Sequence, residues 1–515
     1  MRSRSISGLV LLLVGLSGAA RGADTATLAD AAEQRDKARV RRLLDTGVDV
    51  NAAQIDGTTA LHWAAYHDDA ETAGLLVRAG AHVNAVNRYG MPPLALACSN
   101  GSGGVVKLLL AAGADANATM KSGETVLMMA ARSGNLEAVN ALLARGARLD
   151  ARERRGQTAL MWAAAEGHAA VVRALIDAGA DINATLDSGF TPFFFAVREG
   201  HIEVVRAFLG AGADVNATVQ RRESGPGSPA PYKPVGKGTG PLLLAVQNGH
   251  FELAIALVDA GADPNDRRTG FTPLHTLTWV RKPDASDVSE PPPNGSGRIT
   301  SLQFVREIVK RGAKVNLRLD KGTPKVPNTS SRIESEGATP FLLAADRSDI
   351  ALMRLLLELG ADPLMPNFNN TTPLMAAAGL GTTEPLEEAG EEPEAVEAVK
   401  MLLDLGADIN AVDNNGDTAM HGAAYGAYPK VVNLLAERGA DPQIWKDRNK
   451  FGRTPLFIAE GYQGRLPRPD VPTIEAVTRL MRAAGLSTEG ERPAIVDIYE
   501  KTPEPPRKPV KPEKP

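Results

Sequence analysis

The chain has 515 residues, of which 43% are hydrophobic but only 4% aromatic, and it contains 50 glycines and 35 prolines. This length excludes a single ordinary hydrophobic core, and an apolar content of mostly alanine, leucine and valine favours many thin helix contacts. The formal net charge of -4 gives no global signature of nucleic-acid binding, so we expect no nucleic-acid partner, although a local basic patch can coexist with it.

Residues 1–22 have the organisation of a secretory signal peptide. Arg2 and Arg4 precede an apolar run, and the small residues that follow suit cleavage after Ala20 or Gly22. The run is short for a membrane span, although an uncleaved anchor is the alternative interpretation. No later segment has the length and apolarity of a transmembrane helix. We therefore predict an exported protein, periplasmic or extracellular, with no membrane span after signal cleavage.

From residue 57 onward the chain repeats itself with a period of 33 residues. The glycines that open five consecutive copies are Gly57, Gly90, Gly123, Gly156 and Gly189. A threonine in four of these copies, Thr59, Thr125, Thr158 or Thr191, suits the N-cap of a short, alanine-rich first helix. A second helix then shows apolar residues at i, i+1, i+4 and i+5, and it ends at a glycine suited to a left-handed C-terminal position. Each copy is therefore predicted to be a helix-turn-helix unit.

These units resemble the ankyrin repeat. Its T-P-L-H core appears as TALH at 59, TPLH at 272 and TAMH at 418, and its ending appears as GADINA at 179 and 406 and GADVNA at 212. A weaker first unit starts at residue 27, which gives about twelve units over residues 25–486. The resemblance implies an all-α fold, an ankyrin-repeat solenoid of helix-turn-helix units with β-turn tips. It also implies that the tips and first helices form a concave ledge that binds other proteins.

The stretch TALHWAAYHDD at 59–69 raises the question of a metal or catalytic site. The slot of His62 holds methionine, phenylalanine or leucine in sister units, which a ligand slot would not accept freely. The resemblance implies instead that His62, His275 and His421 hydrogen-bond backbone groups between repeats. His67 is expected on the binding face, and we predict no catalytic, cofactor-binding or metal residues. Cys98 is the only cysteine, which excludes an intramolecular disulfide and suits a small core position.

Four segments interrupt the repeat, at residues 219–237, 281–298, 318–336 and 379–395. Their composition predicts exposed loops, which are either tolerated growth or segments that a partner orders. Residues 487–515 form a Pro- and charge-rich tail that we expect to be disordered. The first insert contains VGKGTG, which resembles a phosphate loop. Pro231 and Gly238 stand where that motif needs glycine and a hydroxyl residue, so nucleotide binding is not predicted.

Basic residues recur at the tips of consecutive units and predict a broken basic ridge that steers an anionic partner. The predicted contacts are Arg88, Lys121, Arg152, Arg154, Arg155, Arg221, Arg222, Arg267 and Arg268. Glu153 and Glu223 lie among them, so a solvated charged edge is the alternative. Tyr66 and His67, near the end of a first helix, complete the predicted partner-binding set.

We therefore predict a non-enzymatic scaffold that binds another protein, of unknown identity, through the concave ledge, and we expect a monomer. No Ser/His/Asp, Cys/His or metal-spacing motif stands outside a structural slot, so no enzyme and no cofactor are predicted. One alternative is binding of an anionic envelope or extracellular polymer along the ridge. Another is a regulatory or protective partner of a co-exported enzyme. An enzyme built on an insertion is least favoured, because the inserts are low in His, Cys and aromatic residues.

Overall fold

The structure is a computed structural model that describes residues 27–220, 236–284, 292–327, 331–383, 390–461 and 469–489. Within these ranges the chain is helical and forms no β-strand, apart from isolated bridges that join Ala53 to Thr59 and Thr119 to Thr125. No helix in the described ranges is long and apolar enough to cross a membrane. The predicted signal peptide and most of the predicted tail lie outside them. The limits of the repeat array, 25–486, and the number of its units stay predictions.

The N-terminal unit, residues 1–186, is a two-layer stack of helix pairs. Its helices are α1 (Leu28–Glu33), α2 (Lys37–Asp45), α3 (Ala60–Tyr66), α4 (Ala70–Arg78), α5 (Pro93–Ser99), α6 (Gly103–Ala111), α7 (Val126–Ser133), α8 (Leu136–Ala144), α9 (Ala159–Ala165) and α10 (Ala169–Asp177). The odd-numbered first helices contact one another in chain order, and so do the even-numbered second helices. Each pair covers its neighbours, as a solenoid requires.

The C-terminal unit, residues 187–515, repeats these two layers and adds the inserts to them. Its helices are α11 (Pro192–Glu199), α12 (Ile202–Gly210), α13 (Pro241–Gln247), α14 (Phe251–Asp259), α15 (Pro273–Arg281), α16 (Ser301–Lys310), α17 (Pro340–Asp346), α18 (Ile350–Glu358), α19 (Pro373–Met375), a π-helical segment (Ala376–Leu380), α20 (Glu392–Asp404), α21 (Ala419–Tyr425), α22 (Pro429–Glu437), α23 (Pro442–Trp445), α24 (Pro455–Ala459) and α25 (Val471–Ala483). First helices α11, α13, α15 and α17 contact in turn, and the row continues through the π-helical segment to α21 and α24.

The helix ends follow the predicted chemistry. Thr158 Oγ1 accepts a hydrogen bond from the Met161 backbone N–H at 3.3 Å, which caps α9. Pro192 and Pro273 begin α11 and α15, where an N–H would have no helical partner. Gly179 lies two residues beyond α10 with a φ of 93°, the left-handed conformation that glycine adopts without strain. Threonine caps, first-position prolines and terminal glycines are therefore confirmed at these helices.

Small apolar side chains fill the space between the two layers. Ala95, Ala97 and Cys98 on α5 are fully buried, and so is Leu109 on α6. Burial raises the pKa of the Cys98 thiol, so the thiol stays protonated and unreactive at neutral pH. The prediction that Cys98 is a core residue is confirmed. Burying one leucine such as Leu109 stabilises the stack by about 1.5–3 kcal/mol.

Parts of the inserts pack tightly against the repeats, so the expectation of exposed loops is wrong for them. Ser296 Oγ lies 2.9 Å from His250 Nδ1, which fastens the second insert to the turn between α13 and α14. Asp284 of the same insert forms a buried ion pair with Arg347 at 3.2 Å. Ile333 of the third insert is 7% exposed. Most of the first insert, residues 219–237, lies outside the described residues.

One first helix is interrupted where the fourth insert begins. The π-helical segment contains Gly379, which has a φ of 104°. A Cβ at this position would lie 2.9 Å from the carbonyl oxygen of Gly422 on the neighbouring α21. The two first helices approach this closely only because both positions are glycine. The repeat period predicts a first helix here but not its interruption.

Candidate functional site

Five of the predicted contact residues form a basic edge on the tips of the N-terminal unit. These residues, which we call the N-terminal tip ridge, are Arg88, Lys121, Arg152, Arg154 and Arg155, and all five are exposed. Consecutive tips lie close together because each turn contains a left-handed glycine. Gly123, for example, has a φ of 89°, and a Cβ there would lie 3.3 Å from the backbone nitrogen of Arg154. In the structure these residues thus lie on successive tips, as the sequence predicts.

Three cations of the N-terminal tip ridge bind backbone carbonyls of their own or a neighbouring tip. Lys121 Nζ donates to the Arg88 carbonyl at 3.1 Å, and Arg154 Nη2 donates to the Lys121 carbonyl at 2.6 Å. Arg152 Nη1 donates to the carbonyls of Gly156 and Thr185 at 3.0 and 3.3 Å. These bonds orient the side chains and leave each positive charge in place.

No carboxylate among the described residues forms an ion pair with any of these five cations. Glu153, the acidic residue within the ridge, turns its Oε1 to the Gln157 backbone N–H at 3.1 Å instead. Glu153 therefore does not neutralise the N-terminal tip ridge, and a solvated charged edge stays the alternative interpretation of these tips. At an ionic strength of 0.15 M, charges within about 8 Å of one another still act together on an approaching partner.

The tip arginines of the C-terminal unit have carboxylate partners of their own. Arg268 Nη2 lies 2.6 Å from Asp266 Oδ2, and Arg267 Nη1 lies 3.0 Å from Asp320 Oδ1. The hydrogen bond with Asp266 raises the pKa of Arg268. Arg221 and Arg222 lie outside the described residues. The predicted ridge is therefore unpaired in the N-terminal unit and paired at its last two positions.

Tyr66 and His67 end α3 in an aromatic cluster with Trp63. The His67 and Trp63 rings stack at 5.7 Å between centroids, and the edge of Tyr66 meets Trp63 at 5.8 Å. His67 Nδ1 accepts from Arg35 Nη2 at 3.0 Å, so its Nε2–H is left to donate to the Glu33 carbonyl at 3.0 Å. Burial and the charge of Arg35 lower the pKa of His67, whose ring is therefore neutral and fixed.

The acidic residues beside His67, Asp68 and Asp69, have structural roles. Asp69 caps α4 by accepting from the Thr72 backbone N–H at 3.1 Å, and it pairs with Lys37 at 3.0 Å. Asp68 turns the chain with a φ of 53°. Among the described residues, no three His, Cys, Asp or Glu side chains come together in a way that could hold a metal ion.

The histidines of the T-P-L-H slot bridge repeats as the resemblance implied at two of three positions. His62 Nε2 lies 3.0 Å from the Met91 carbonyl and His275 Nε2 lies 3.2 Å from the Ala338 carbonyl, each in the next repeat. His421 keeps the local bond of its Nδ1 to Thr418 Oγ1 at 3.0 Å. Its Nε2 faces backbone groups of Arg453 and Asp447 in the next repeat without a well-formed hydrogen bond, so the bridge is looser there.

A buried polar cluster in the C-terminal unit escaped the sequence analysis. Asp417 is 4% exposed, and its Oδ1 accepts from Asn449 Nδ2 at 2.7 Å. Burial, together with the nearby charge of Asp413, raises the pKa of Asp417 to about 6. An acidic residue directly before the capping threonine is no sufficient signal, because Glu124 holds the same position before Thr125 and is only half-buried.

Comparisons with known proteins agree with this architecture. A family model described as "Ankyrin repeats (3 copies)" matches residues 28–120, 94–185, 127–219 and 386–466, which together make up more than half of the chain. The chain belongs to the ankyrin repeat family. A second model, "Ankyrin repeat", matches residues 237–268 of this ankyrin repeat chain. Ankyrin repeats indicate a scaffold for protein-protein interaction, and that coarse function applies here.

Each of the similarities covers only part of this ankyrin repeat chain, and two of them cover only part of the similar protein as well. Ankyrin repeat and SOCS box protein 6 of Pongo abelii is 45% identical over 109 residues, which are 20% of this chain and 23% of that protein. The E3 ubiquitin-protein ligase KEG of Arabidopsis thaliana is 28% identical over 201 residues, which are 36% of this chain and 11% of that protein. The crystal structure of the human ASB11 ankyrin repeat domain has 27% identity and a TM-score of 0.39, and the match covers 46% of this chain and 98% of that domain. The chain thus spans less than a quarter of the length of the SOCS box protein and of the KEG ligase.

Proposed function

We propose that the chain is an exported, non-enzymatic scaffold whose N-terminal unit binds a partner protein with an acidic surface. The observation that carries this proposal is the set of five exposed cations on the N-terminal tip ridge, none of which has a carboxylate partner among the described residues. Such charges are free to pair with a partner without breaking an internal ion pair. They raise the rate of encounter and fix the orientation of docking more than they add raw affinity.

The setting of Tyr66 is a second reason to place the interaction surface on the N-terminal unit. Its ring is half-buried against Trp63 and His67, so little side-chain entropy is lost when a partner covers it. His67 is held by Arg35 and Glu33 and positions that ring. We place the specific contact at Tyr66 and the steering at the basic tips. A regulatory or protective action on a co-exported enzyme is one form that this binding can take.

A second candidate is binding of an anionic polymer of the envelope or the extracellular space. The same five cations support it, because a flexible polyanion needs only a row of positive charge. The two candidates differ in salt response. Polymer binding is lost as ions screen the charges, whereas a protein partner that also covers Tyr66 is retained at moderate salt.

The deciding experiment immobilises residues 23–515 and measures what is retained from the source cell's envelope and medium at 50 and 300 mM salt. We expect one protein at both salts and its loss, at both salts, with Tyr66→Ala. The triple variant Arg152→Glu, Arg154→Glu, Arg155→Glu should retain much less of it at 50 mM salt and nearly as much as the wild type at 300 mM, where the charges are screened. The control variant Arg145→Glu, Arg148→Glu, Arg173→Glu reverses as many exposed charges away from these tips and should retain it. Retention of acidic polymers alone, lost at 300 mM, would favour the second candidate.

Export rests on residues 1–22 and has a direct test. The chain recovered from the envelope or medium should begin at Arg21 or Ala23, the two residues that follow the predicted cleavage points. N-terminal sequencing by mass spectrometry gives the answer. A chain that stays in the cytoplasm and begins at Met1 would contradict export and leave the binding proposal standing.

A further inference from the structure

The second insert contains an Asn-Gly pair in an open loop. Asn294 and Gly295 are exposed and belong to no helix or turn. In such a pair the glycine nitrogen can reach the side-chain amide carbon of the asparagine, because glycine has no Cβ to block the approach. The chain contains three further Asn-Gly pairs, at 100–101, 248–249 and 415–416. Asparagine is among the thermolabile residues, so the fold can set which of these four pairs reacts.

The backbone N–H that would attack is already bound in the other three pairs. It belongs to a left-handed glycine at a turn and donates to the carbonyl three residues earlier, from Gly101 to Cys98 at 3.3 Å, from Gly249 to Val246 at 3.1 Å and from Gly416 to Asp413 at 3.0 Å. A bound N–H must be released by local opening before its nitrogen can attack. These three pairs are therefore protected in the folded chain.

Other hydrogen bonds hold the asparagines of these three pairs. Asn100 Nδ2 donates to the Tyr66 carbonyl at 2.7 Å, and Asn248 Nδ2 donates to the Leu244 carbonyl at 2.8 Å. Asn415 is fixed through its backbone carbonyl, which accepts a hydrogen bond from the next tip at 2.7 Å. Turning the side-chain carbon of Asn100 or Asn248 toward the following nitrogen would break its bond, which adds to the protection.

The reacting groups of the second insert have no such bonds. Neither the Asn294 side chain nor the Gly295 N–H forms a hydrogen bond with any described residue. The loop is fastened one residue later, where the Ser296 backbone N–H donates to His250 Nδ1 at 2.9 Å. The two groups of this pair therefore have no hydrogen bond to break before they meet.

We propose that Asn294 is a site of spontaneous deamidation. The Gly295 nitrogen attacks the side-chain carbon of Asn294, its proton passes by way of solvent to the amide nitrogen, and ammonia leaves as a succinimide ring closes. Water then adds to either carbonyl of the ring and opens it to aspartate or isoaspartate. Water is the only co-reactant, and no group is oxidised or reduced. The inference uses a loop of the C-terminal unit and is independent of the proposed tip interface.

The isoaspartate product does not fit the loop in its present position. It adds a carbon to the main chain directly before Gly295, which packs against Gly249 so closely that a Cβ there would collide with the Gly249 carbonyl. The next residue along the chain is the bound Ser296. The modification therefore loosens the second insert from the turn between α13 and α14 as the chain ages.

Peptide mapping by mass spectrometry tests the selectivity. The full-length chain is kept at pH 8 and 37 °C, and conversion of asparagine to its acid forms is followed at all four pairs. We expect conversion at Asn294 to be at least fivefold faster than at Asn100, Asn248 or Asn415. In guanidinium chloride the four rates should come close together, because every pair then has the same following glycine and no bonds to break. Equal rates in the folded chain, or no conversion of Asn294 until the chain is unfolded, would overturn the inference.

The variant Asn294→Gln is the matched control, because its longer side chain closes a ring far more slowly. After equal ageing, an isoaspartate methyltransferase should label this loop in the wild type and not in the variant. The Ser296 amide should also exchange with solvent faster in the aged wild type, since its bond to His250 is disturbed. Equal exchange in two chains that differ in isoaspartate would contradict the loosening of the insert.

Discussion

Two buried titratable residues of the C-terminal unit respond to pH in opposite directions. Burial lowers the pKa of His275 to about 4 and raises the pKa of Asp417 to about 6. In both cases the charged form is disfavoured inside the repeat stack. Because the usual pKa values are 6.5 and 3.8, both residues titrate differently in the folded and unfolded chain between about pH 4 and pH 6.5.

Replacing His275 by leucine should lower local stability at pH 7.5 and weaken its dependence on pH. Neutral His275 contributes stability above pH 6.5, and this contribution is lost as the pH falls through its folded pKa of about 4. Losing the bonds to Thr272 and Ala338 should cost about 1–2 kcal/mol. The Ala338 carbonyl still accepts from the Leu319 N–H at 3.0 Å, and Leu243 occupies the same slot elsewhere, so the fold should persist.

Amide exchange of α15 and α17 at pH 7.5 and 5.0, corrected for intrinsic rates, measures this effect. A local probe is needed because a repeat array does not have to unfold as one unit. The leucine variant should differ most from the wild type at pH 7.5 and less at pH 5.0. A difference that is the same at both pH values would show that ionisation of His275 is not linked to folding.

Asp417→Asn should raise local stability at pH 7.5, whereas the His275 variant lowers it. The protonated Asp417 contributes stability below about pH 4, and this is lost as the pH rises through its folded pKa of about 6. Asparagine keeps the shape and an oxygen for Asn449 but cannot ionise. The free energy of local opening at α21 and α24 should therefore exceed that of the wild type by about 1–3 kcal/mol at pH 7.5 and match it near pH 4. The exposed Asp404→Asn is the control, and a destabilised Asp417→Asn at pH 7.5 would contradict the prediction.

At the scale of one element, the interruption of the first helix at Gly379 should not tolerate a side chain. Gly379→Ala places a Cβ 2.9 Å from the Gly422 carbonyl oxygen at a φ of 104°, so it combines a clash with a strained backbone. Gly179→Ala is the matched control, because its φ is 93° but nothing lies within 4 Å of the added Cβ. We expect a loss of about 1 kcal/mol at Gly179 and of about 2–4 kcal/mol at Gly379.

Amide exchange of the adjoining helix, α21 for Gly379 and α10 for Gly179, compares the two alanine variants, each with the wild type. A further variant, Gly422→Ala, probes the other side of the same contact, since its Cβ would lie 3.0 Å from the Leu380 nitrogen. It should resemble Gly379→Ala rather than the control. Equal losses of local stability in Gly379→Ala and Gly179→Ala would mean that the close approach of the two helices does not contribute to stability.

The sequence predicts the elements that obey the repeat and misses those that depart from it. Thr158 and Gly179 recur every 33 residues, so their roles follow from comparing copies. Ser296 and Arg332 have no counterpart in other copies, and their partners lie 46 and 50 residues away at His250 and Thr382. No local pattern predicts such contacts, so inserts that read as loops turn out to be packed.

The same distinction applies to the candidate site. The period places Arg88, Lys121 and Arg154 on successive tips, and the structure contains them there. Whether a tip cation is neutralised depends on its local rotamer and on neighbours from other segments. Arg267, for instance, meets Asp320 of the third insert, which composition alone does not predict. The positions of the tip cations could be predicted from the sequence, but their ion pairs with carboxylates could not.

At the scale of the whole molecule, a net charge of -4 conceals an uneven distribution of paired and unpaired cations. The N-terminal tips contain exposed cations without carboxylate partners among the described residues, whereas Arg267 and Arg268 are paired. A partner approaching through solvent responds to the unpaired charges, because an ion pair has little field beyond a few ångströms. Association should therefore depend on where the cations are unpaired and not on how many there are.

The double variant Arg152→Gln, Arg154→Gln should slow association with an acidic partner about tenfold at 50 mM salt, with little change in the dissociation rate. The control is Arg267→Gln, Arg268→Gln, which removes the same charge from paired positions and should slow it by less than twofold. Surface plasmon resonance against the partner retained at both salts separates the two rates. Raising the salt to 300 mM should bring the three association rates together. Screening slows association of the wild type by removing the steering, and it slows Arg152→Gln, Arg154→Gln much less because those charges are already absent. Equal effects of the two double variants at 50 mM would show that net charge, and not the N-terminal tip ridge, governs the encounter.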